Sequence, residues 1–191
     1  MNTPNKLTIL RIFLAPVFLA LLLIDFPHHI LAALVVFILA SLTDLVDGKL
    51  ARKYNLVTDF GKFLDPLADK MLTTAAFIGF LSLGFGSGMV WIVFIVLTRE
   101  FLVTSLRLIA AGGGKVVAAN LWGKAKTVCQ MTAIILTMAA EYVIGLDLLP
   151  QAAVGPVRIV YTAVLWISAV LTVGSGITYL VDNRKFIDHR K

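Results

Sequence analysis

The sequence predicts an all-α fold, a polytopic membrane protein of six transmembrane helices with both termini in the cytoplasm. Three observations carry this. Hydrophobic residues make up 59% of the chain and charged residues 15%, against about 45–50% and 25% in soluble proteins. A water-soluble core built from 191 residues could not hide that much apolar surface. The apolar residues fall into long uncharged runs, close to the about 20 residues that a helix needs to cross hydrocarbon. The basic residues, 17 Lys and Arg against 11 Asp and Glu, gather at one set of run ends.

The first span is expected over about Ile9–Ile24. Lys6 and Arg11 precede its uncharged stretch as in a signal peptide, but no small-x-small cleavage site follows, so it reads as a retained helix. Phe26–Thr43 forms the second span and stays uncharged until Asp44. Met71–Thr98 is too long for one span, and LGFGSG at 83–88 breaks it. A third helix then runs from about Gly61 to Leu83 and a fourth from about Met89 to Ala111. The fifth covers about Trp122–Ile144, and the sixth, Ile159–Val181, contains no charge.

Six spans place loops 25–29, 84–88 and 145–156 on one face and loops 53–60 and 111–121 on the other. Arg158 is the one basic residue near the first set, so the positive-inside rule gives N-in and C-in. No repeat, linker or low-complexity tract divides residues 1–191, which read as a single six-helix domain. The tail VDNRKFIDHRK is expected beside anionic headgroups of the membrane lipids. In a soluble protein the basic excess would suggest nucleic acid; here it marks the cytoplasmic side, and no nucleic-acid partner is expected. Cys129 is the sole cysteine, so no intrachain disulfide can form, and it reads as packing.

Chemistry concentrates between Asp44 and Lys70. Asp44, Asp47, Gly48 and Ala51 recur at i, i+3, i+4 and i+7, one face of the second helix, while Gly61, Asp65 and Asp69 recur by four on the third. A short turn around 53–60 makes these helices antiparallel neighbours, so the four carboxylates can converge. Asp44 lies roughly 12 Å from Arg52 at the helix end, at a rise of 1.5 Å per residue, which puts the site near the cytoplasmic surface. An aspartate in mid-membrane costs about 2.5–3.5 kcal/mol on insertion scales, and clustered like charges add repulsion. Hard divalent cations remove both penalties. Two Mg²⁺ or Mn²⁺ ions would let Asp44, Asp47, Asp65 and Asp69 face a pyrophosphate and support in-line displacement at phosphorus. Gly48, Ala51 and Gly61 allow close helix approach or room for a nucleotide, and Arg52 offers a fork of donors to phosphate. Asp59 is off the pattern and reads as a cap or a solvated loop residue.

These eight positions match D-x-x-D-G-x-x-A-R-x8-G-x3-D-x3-D without departure, and the chain resembles the CDP-alcohol phosphatidyltransferase family. The resemblance implies a six-helix membrane fold, a homodimer and a cytosolic metal site. Asp44, Asp47 and Asp65 would be metal ligands, Asp69 would lie beside the metal as general base, and Gly48, Ala51 and Arg52 would follow the CDP moiety. NKLTILR at 5–11, FLDPLADK at 63–70, TREFLVTSLR at 98–107 and GKAKT at 123–127 resemble one bacterial branch of that family. That branch implies CDP-diacylglycerol as donor, glycerol 3-phosphate as acceptor, and the bacterial cytoplasmic membrane as location.

A phosphorylated acceptor also follows from the residues. Arg99 and Arg107, spaced by eight, lie near one face of the fourth helix, and Lys124 and Lys126 open the fifth. Such a set of cations is unneeded for an acceptor without phosphate. A positive-inside collar is the plainer account, and it suits Lys115, Lys124 and Lys126 better than the two arginines, which sit in apolar sequence. Glu100 is placed to orient an arginine or meet substrate. Asn5 and Thr8 are assigned to the nucleotide and Arg11 to phosphate, as a first-helix contribution. His28 and His29 read as interfacial, GGG at 112–114 as a turn, and Glu141 and Asp147 carry no assigned role. Rival readings are cardiolipin synthesis or transfer to inositol phosphate or serine within the same family, and, from another class, a divalent-cation transporter. The last predicts polar residues continuing through several helices to the far face.

Overall fold

The computed structural model describes the backbone of residues 3–54, 59–112 and 121–182, with side chains over 8–43, at 68, and over 70–106 and 122–182. Six helices form: α1 (Thr3–Leu23), α2 (His29–Tyr54), α3 (Asp59–Leu83), α4 (Met89–Gly112), α5 (Leu121–Gly145) and α6 (Gln151–Asp182). No strand occurs among the described residues.

Most ends fall where the sequence puts them, and the exceptions have local causes. The second helix starts at His29 rather than Phe26. Pro27 lacks an amide donor, and His28 takes a left-handed φ of 64° that a helix does not admit. Between α3 and α4, Gly84, Gly86 and Gly88 all have positive φ, which produces the break expected from LGFGSG. The largest departure is α6, which starts eight residues before the expected Ile159 and contains both Pro156 and Arg158. Arg158 does not end the apolar helix because its guanidinium is paired with Glu141 on α5. At 1.5 Å per residue, the 32 residues of α6 extend about 48 Å, well beyond a hydrocarbon core of about 30 Å.

Helix α1 packs against α2 and α3, α5 against α2 and α6, and α4 against α3 and α6. The buried face of α1 runs Thr8, Arg11, Ala15, Phe18, Leu22, the three-and-four spacing of a helix stripe. Direct contact between α2 and α3 is slight among the described residues, so α1, rather than their mutual packing, joins those parts of the two helices. Gly79 permits the close approach of α1 to α3: a Cβ there would come 2.5 Å from Leu22 Cδ2. The interior is apolar around Phe18, Phe37, Phe77, Phe80, Ile92, Ile134 and Leu165, with the Phe18 and Phe37 rings 5.5 Å apart.

The outward faces are apolar as well. Phe94, Phe101 and Ile159 are 62%, 70% and 71% exposed, a distribution that water would penalise and lipid would not. Met89–Leu106, Trp122–Gly145 and Gln151–Asp182 are long and apolar enough to cross a membrane; the described apolar stretches of α1, α2 and α3 are shorter. His28 and His29 tie down the 24–28 turn: His28 Nδ1 lies 3.0 Å from the Tyr142 hydroxyl, and His29 Nδ1 lies 3.0 Å from the Leu22 carbonyl.

Candidate functional site

The chain alternates between two ends. Tyr54, Asp59, Gly112 and Leu121, the helix ends of α2 to α5, lie at one end, and the 24–28, 84–88 and 146–150 turns at the other. The aspartates occupy helical backbone near the first end: Asp44 and Asp47 on the last turns of α2, Asp65 and Asp69 on the first turns of α3. Their side chains lie outside the described residues, as do those of Asn5, Gly48, Ala51, Arg52, Gly61 and Arg107. Among the described residues no group of three His, Cys, Asp or Glu is arranged to hold a metal.

Three helices meet next to α3's aspartate segment and build a cationic pocket of about 450 Å³. Lys70 follows Asp69 on α3, Arg99 and Glu100 come from α4, and Lys124 and Lys126 come from the first turns of α5. Glu100 organises them. Its Oε1 accepts from the Lys126 ammonium and, at 3.2 Å, from Arg99 Nη1. Its Oε2 lies 3.8 Å from Lys70 Nζ. The Glu100 and Arg99 side chains are each 13% exposed and that of Lys126 is 6% exposed. Burying charges to this degree is tolerated only when they are paired and hydrogen-bonded. One carboxylate against four cations leaves the pocket positive, the sign that draws a phosphate.

Arg99 is held from behind by shape. A Cβ on Gly176 of α6 would lie 3.1 Å from Arg99 Cγ, so glycine leaves the space over which the arginine stem passes. Arg99 Nε is buried and has no acceptor among the described residues, and the same holds for Gln130 Nε2, one turn below Lys126 on α5. Buried donors without acceptors are uncommon and carry a desolvation cost. Thr104 and Thr127 add hydroxyls to the pocket wall.

Of the described residues assigned to phosphate, Arg99, Lys124 and Lys126 come together here. Thr8 and Arg11 are elsewhere, on the buried stripe of α1, at 1% and 2% exposure. Lys70 and Gln130 had no assignment from sequence. For Lys70 the signal was its place beside Asp69; for Gln130 the four-residue spacing from Lys126 was the available sign. Glu100, expected to orient an arginine or meet substrate, contacts one arginine and two lysines.

Comparison with known proteins identifies the family. The sequence profile of the CDP-alcohol phosphatidyltransferase family matches residues 1–174. The chain is 42% identical over 194 residues to a CDP-diacylglycerol--glycerol-3-phosphate 3-phosphatidyltransferase of Bacillus subtilis, covering 95% of each chain. It is 40% identical over 182 residues to a probable phosphatidylglycerophosphate synthase of Mycobacterium tuberculosis, covering 94% of this chain and 80% of that one. A Rickettsia bellii CDP-diacylglycerol--glycerol-3-phosphate 3-phosphatidyltransferase is 38% identical over 188 residues, covering 97% of both chains.

Proposed function

Because this chain belongs to the CDP-alcohol phosphatidyltransferase family, we propose that it transfers the phosphatidyl group of CDP-diacylglycerol to glycerol 3-phosphate. The products are phosphatidylglycerol phosphate and CMP. The carrying observation is the positive pocket organised by Glu100, directly after the last aspartate of the family motif. Relatives bearing that activity's name at 38–42% identity support it.

The residues divide the work by chemistry. Arg99, Lys124 and Lys126 hold the acceptor phosphate, with Arg107 added from the same helix. Gly48, Ala51, Arg52 and Gly61 receive the nucleotide, assisted by Asn5 and Thr8. Arg11 keeps its assignment to phosphate, reached from inside the bundle. Asp69 accepts the proton of the attacking glycerol hydroxyl. The new bond joins that oxygen to the lipid-side phosphorus, and the bond from this phosphorus to CMP breaks, CMP departing with the electron pair. Asp44, Asp47, Asp65 and Asp69 form a hard-oxygen donor set that fits two Mg²⁺ or Mn²⁺ ions. Metal held by these four carboxylates would supply the positive charge that offsets charge building on the leaving phosphate.

The protein is an integral membrane protein. We place all six helices across the bacterial cytoplasmic membrane as one domain, termini and site facing the cytoplasm, with the chain acting as a homodimer. The distribution of Lys and Arg supports the orientation. Buried polar residues do continue along α5 and α6, as a cation transporter would need, but Thr137, Ser168, Thr172 and Ser175 spend their hydroxyls on carbonyls of their own helices.

The deciding experiment offers the purified enzyme CDP-diacylglycerol and Mg²⁺ or Mn²⁺, with glycerol 3-phosphate, phosphatidylglycerol, inositol phosphate and serine in separate reactions. CMP release with glycerol 3-phosphate is expected. Turnover confined to phosphatidylglycerol would make the chain a cardiolipin synthase, and turnover confined to inositol phosphate or serine would reassign the acceptor accordingly. Metal flux into liposomes without CMP release would restore the transporter.

A further inference from the structure

At the end away from the aspartates, the 84–88 turn and the start of α6 enclose a second cavity of about 650 Å³. It shares no lining residue with the cationic pocket. Its wall is fitted rather than slack. Trp166 Nε1 donates to the Ser87 carbonyl at 3.1 Å. Gly88 has a φ of 76°, and a Cβ there would come 2.8 Å from the Trp166 ring. Gly86 has a φ of 87°, with Leu165 Cδ1 at 3.1 Å from its would-be Cβ. Only glycine lets the turn sit this close to α6.

The cavity contains Arg158, the one basic residue at this end of the chain. Its Nε and Nη2 donate to the two oxygens of Glu141 at 3.0 and 3.1 Å. The Glu141 side chain is 5% exposed and also accepts the Tyr161 hydroxyl. That carboxylate is consumed by these donors and has little capacity left for a further cation. The guanidinium is different: its side chain is 53% exposed, and among the described residues nothing accepts from Nη1. A fork locked by two bonds therefore presents a third donor nitrogen, the arrangement that suits a second anion. From the same cavity an apolar strip runs along α6 through Ile159, Ala163, Trp166 and Val170, with Ile159 71% and Val170 67% exposed.

We propose that this cavity is a phospholipid site. The lipid phosphodiester binds Arg158 Nη1 and the Thr162 hydroxyl, and an acyl chain lies along Ile159, Trp166 and Val170. A free phosphate ion shares the headgroup chemistry. It would bring more charge to a guanidinium already half spent on Glu141, and it would leave the apolar strip bare, so the lipid is the occupant. Among the described residues no other charged side chain lines the cavity, so the site selects for the phosphate rather than for what is esterified beyond it.

Trp166 is a reporter in place. With Trp91→Phe and Trp122→Phe it becomes the single tryptophan of the three. Phosphatidylglycerol or diacylglycerol with the same brominated acyl chains is titrated into the micellar protein and quenching followed. Half-maximal quenching is expected at a mole fraction at least fivefold lower for phosphatidylglycerol. The paired variant Glu141→Gln/Arg158→Gln leaves no unpaired charge buried and should quench equally with both lipids. Arg158→Lys keeps the charge opposite Glu141 but has no third nitrogen, and it should lose most of the preference too. CMP release should stay within twofold in all three proteins, since none of these residues touches the reacting groups. Equal quenching by the two lipids in the parent, a preference surviving in both charge variants, or displacement by millimolar inorganic phosphate would each overturn the site.

Discussion

Replacing Glu100 by Gln tests whether one carboxylate sets the acceptor pocket. It removes a charge while keeping the side chain's size. In the native pocket Glu100 faces Lys126, Arg99 at 3.2 Å and Lys70 at 3.8 Å. Unit charges about 4 Å apart attract by about 4 kcal/mol at an effective dielectric of about 20, and desolvation offsets much of that gain. Removing one partner of a buried pair typically costs about 3–5 kcal/mol, because the remaining charge is left buried without compensation. Two effects oppose each other at the substrate. Added net positive charge strengthens attraction for phosphate, whereas Lys126, at 6% exposure, loses a partner that helps hold it in place. With Lys126 this enclosed, the second effect should dominate. If half the cost falls on acceptor binding, about 1.5–2.5 kcal/mol, the KM for glycerol 3-phosphate rises about 12- to 60-fold, at 1.4 kcal/mol per tenfold. The KM for CDP-diacylglycerol should stay within threefold. The assay is CMP release at saturating CDP-diacylglycerol across a glycerol 3-phosphate titration, with circular dichroism confirming helix content. A folded Glu100→Gln enzyme with an unchanged acceptor KM, or with both KM values raised equally, would refute the reasoning.

Other expectations follow from the same geometry. Asp69→Asn should abolish turnover while CDP-diacylglycerol binding, measured by equilibrium retention of labelled lipid, largely survives; near-normal activity would remove Asp69 as the base. Chelation with EDTA should stop CMP release, and Mg²⁺ or Mn²⁺ should restore it; full activity after exhaustive chelation contradicts the four-aspartate metal site. Gly176→Ala puts a methyl 3.1 Å from Arg99 Cγ and should raise the glycerol 3-phosphate KM severalfold, with little change in thermal stability. Gly79→Ala crowds Leu22 Cδ2 at 2.5 Å, an overpacking that costs about 1–3 kcal/mol, so its unfolding midpoint in detergent should fall while the acceptor KM stays put.

The helices were legible because bilayer insertion writes them into composition: each needs a long apolar run, and charge marks where a run meets water. That rule misplaces α6, since it treats Arg158 as an end, and a charge neutralised by a partner on another helix does not end a span. The aspartate motif was legible for a comparable reason. Residues three or four apart share one face of a helix, so Asp44, Asp47, Asp65 and Asp69 announce themselves together.

Pairings between helices left no such trace. Nothing in the order of residues places Glu100 against Lys126, 26 positions away, or seats Glu141 against Arg158 and Tyr161. Thr8 and Arg11 read from sequence as candidates for contact with substrate, and only the fold shows that both lie on the buried stripe of α1 that carries Phe18 and Leu22. Sequence by itself determined an all-helical membrane enzyme, its family motif and the sign of charge at each end. Tertiary structure alone decided which cations share a carboxylate, because the partner of a buried charge is chosen by the rotation and depth of neighbouring helices, and neither is encoded in local spacing.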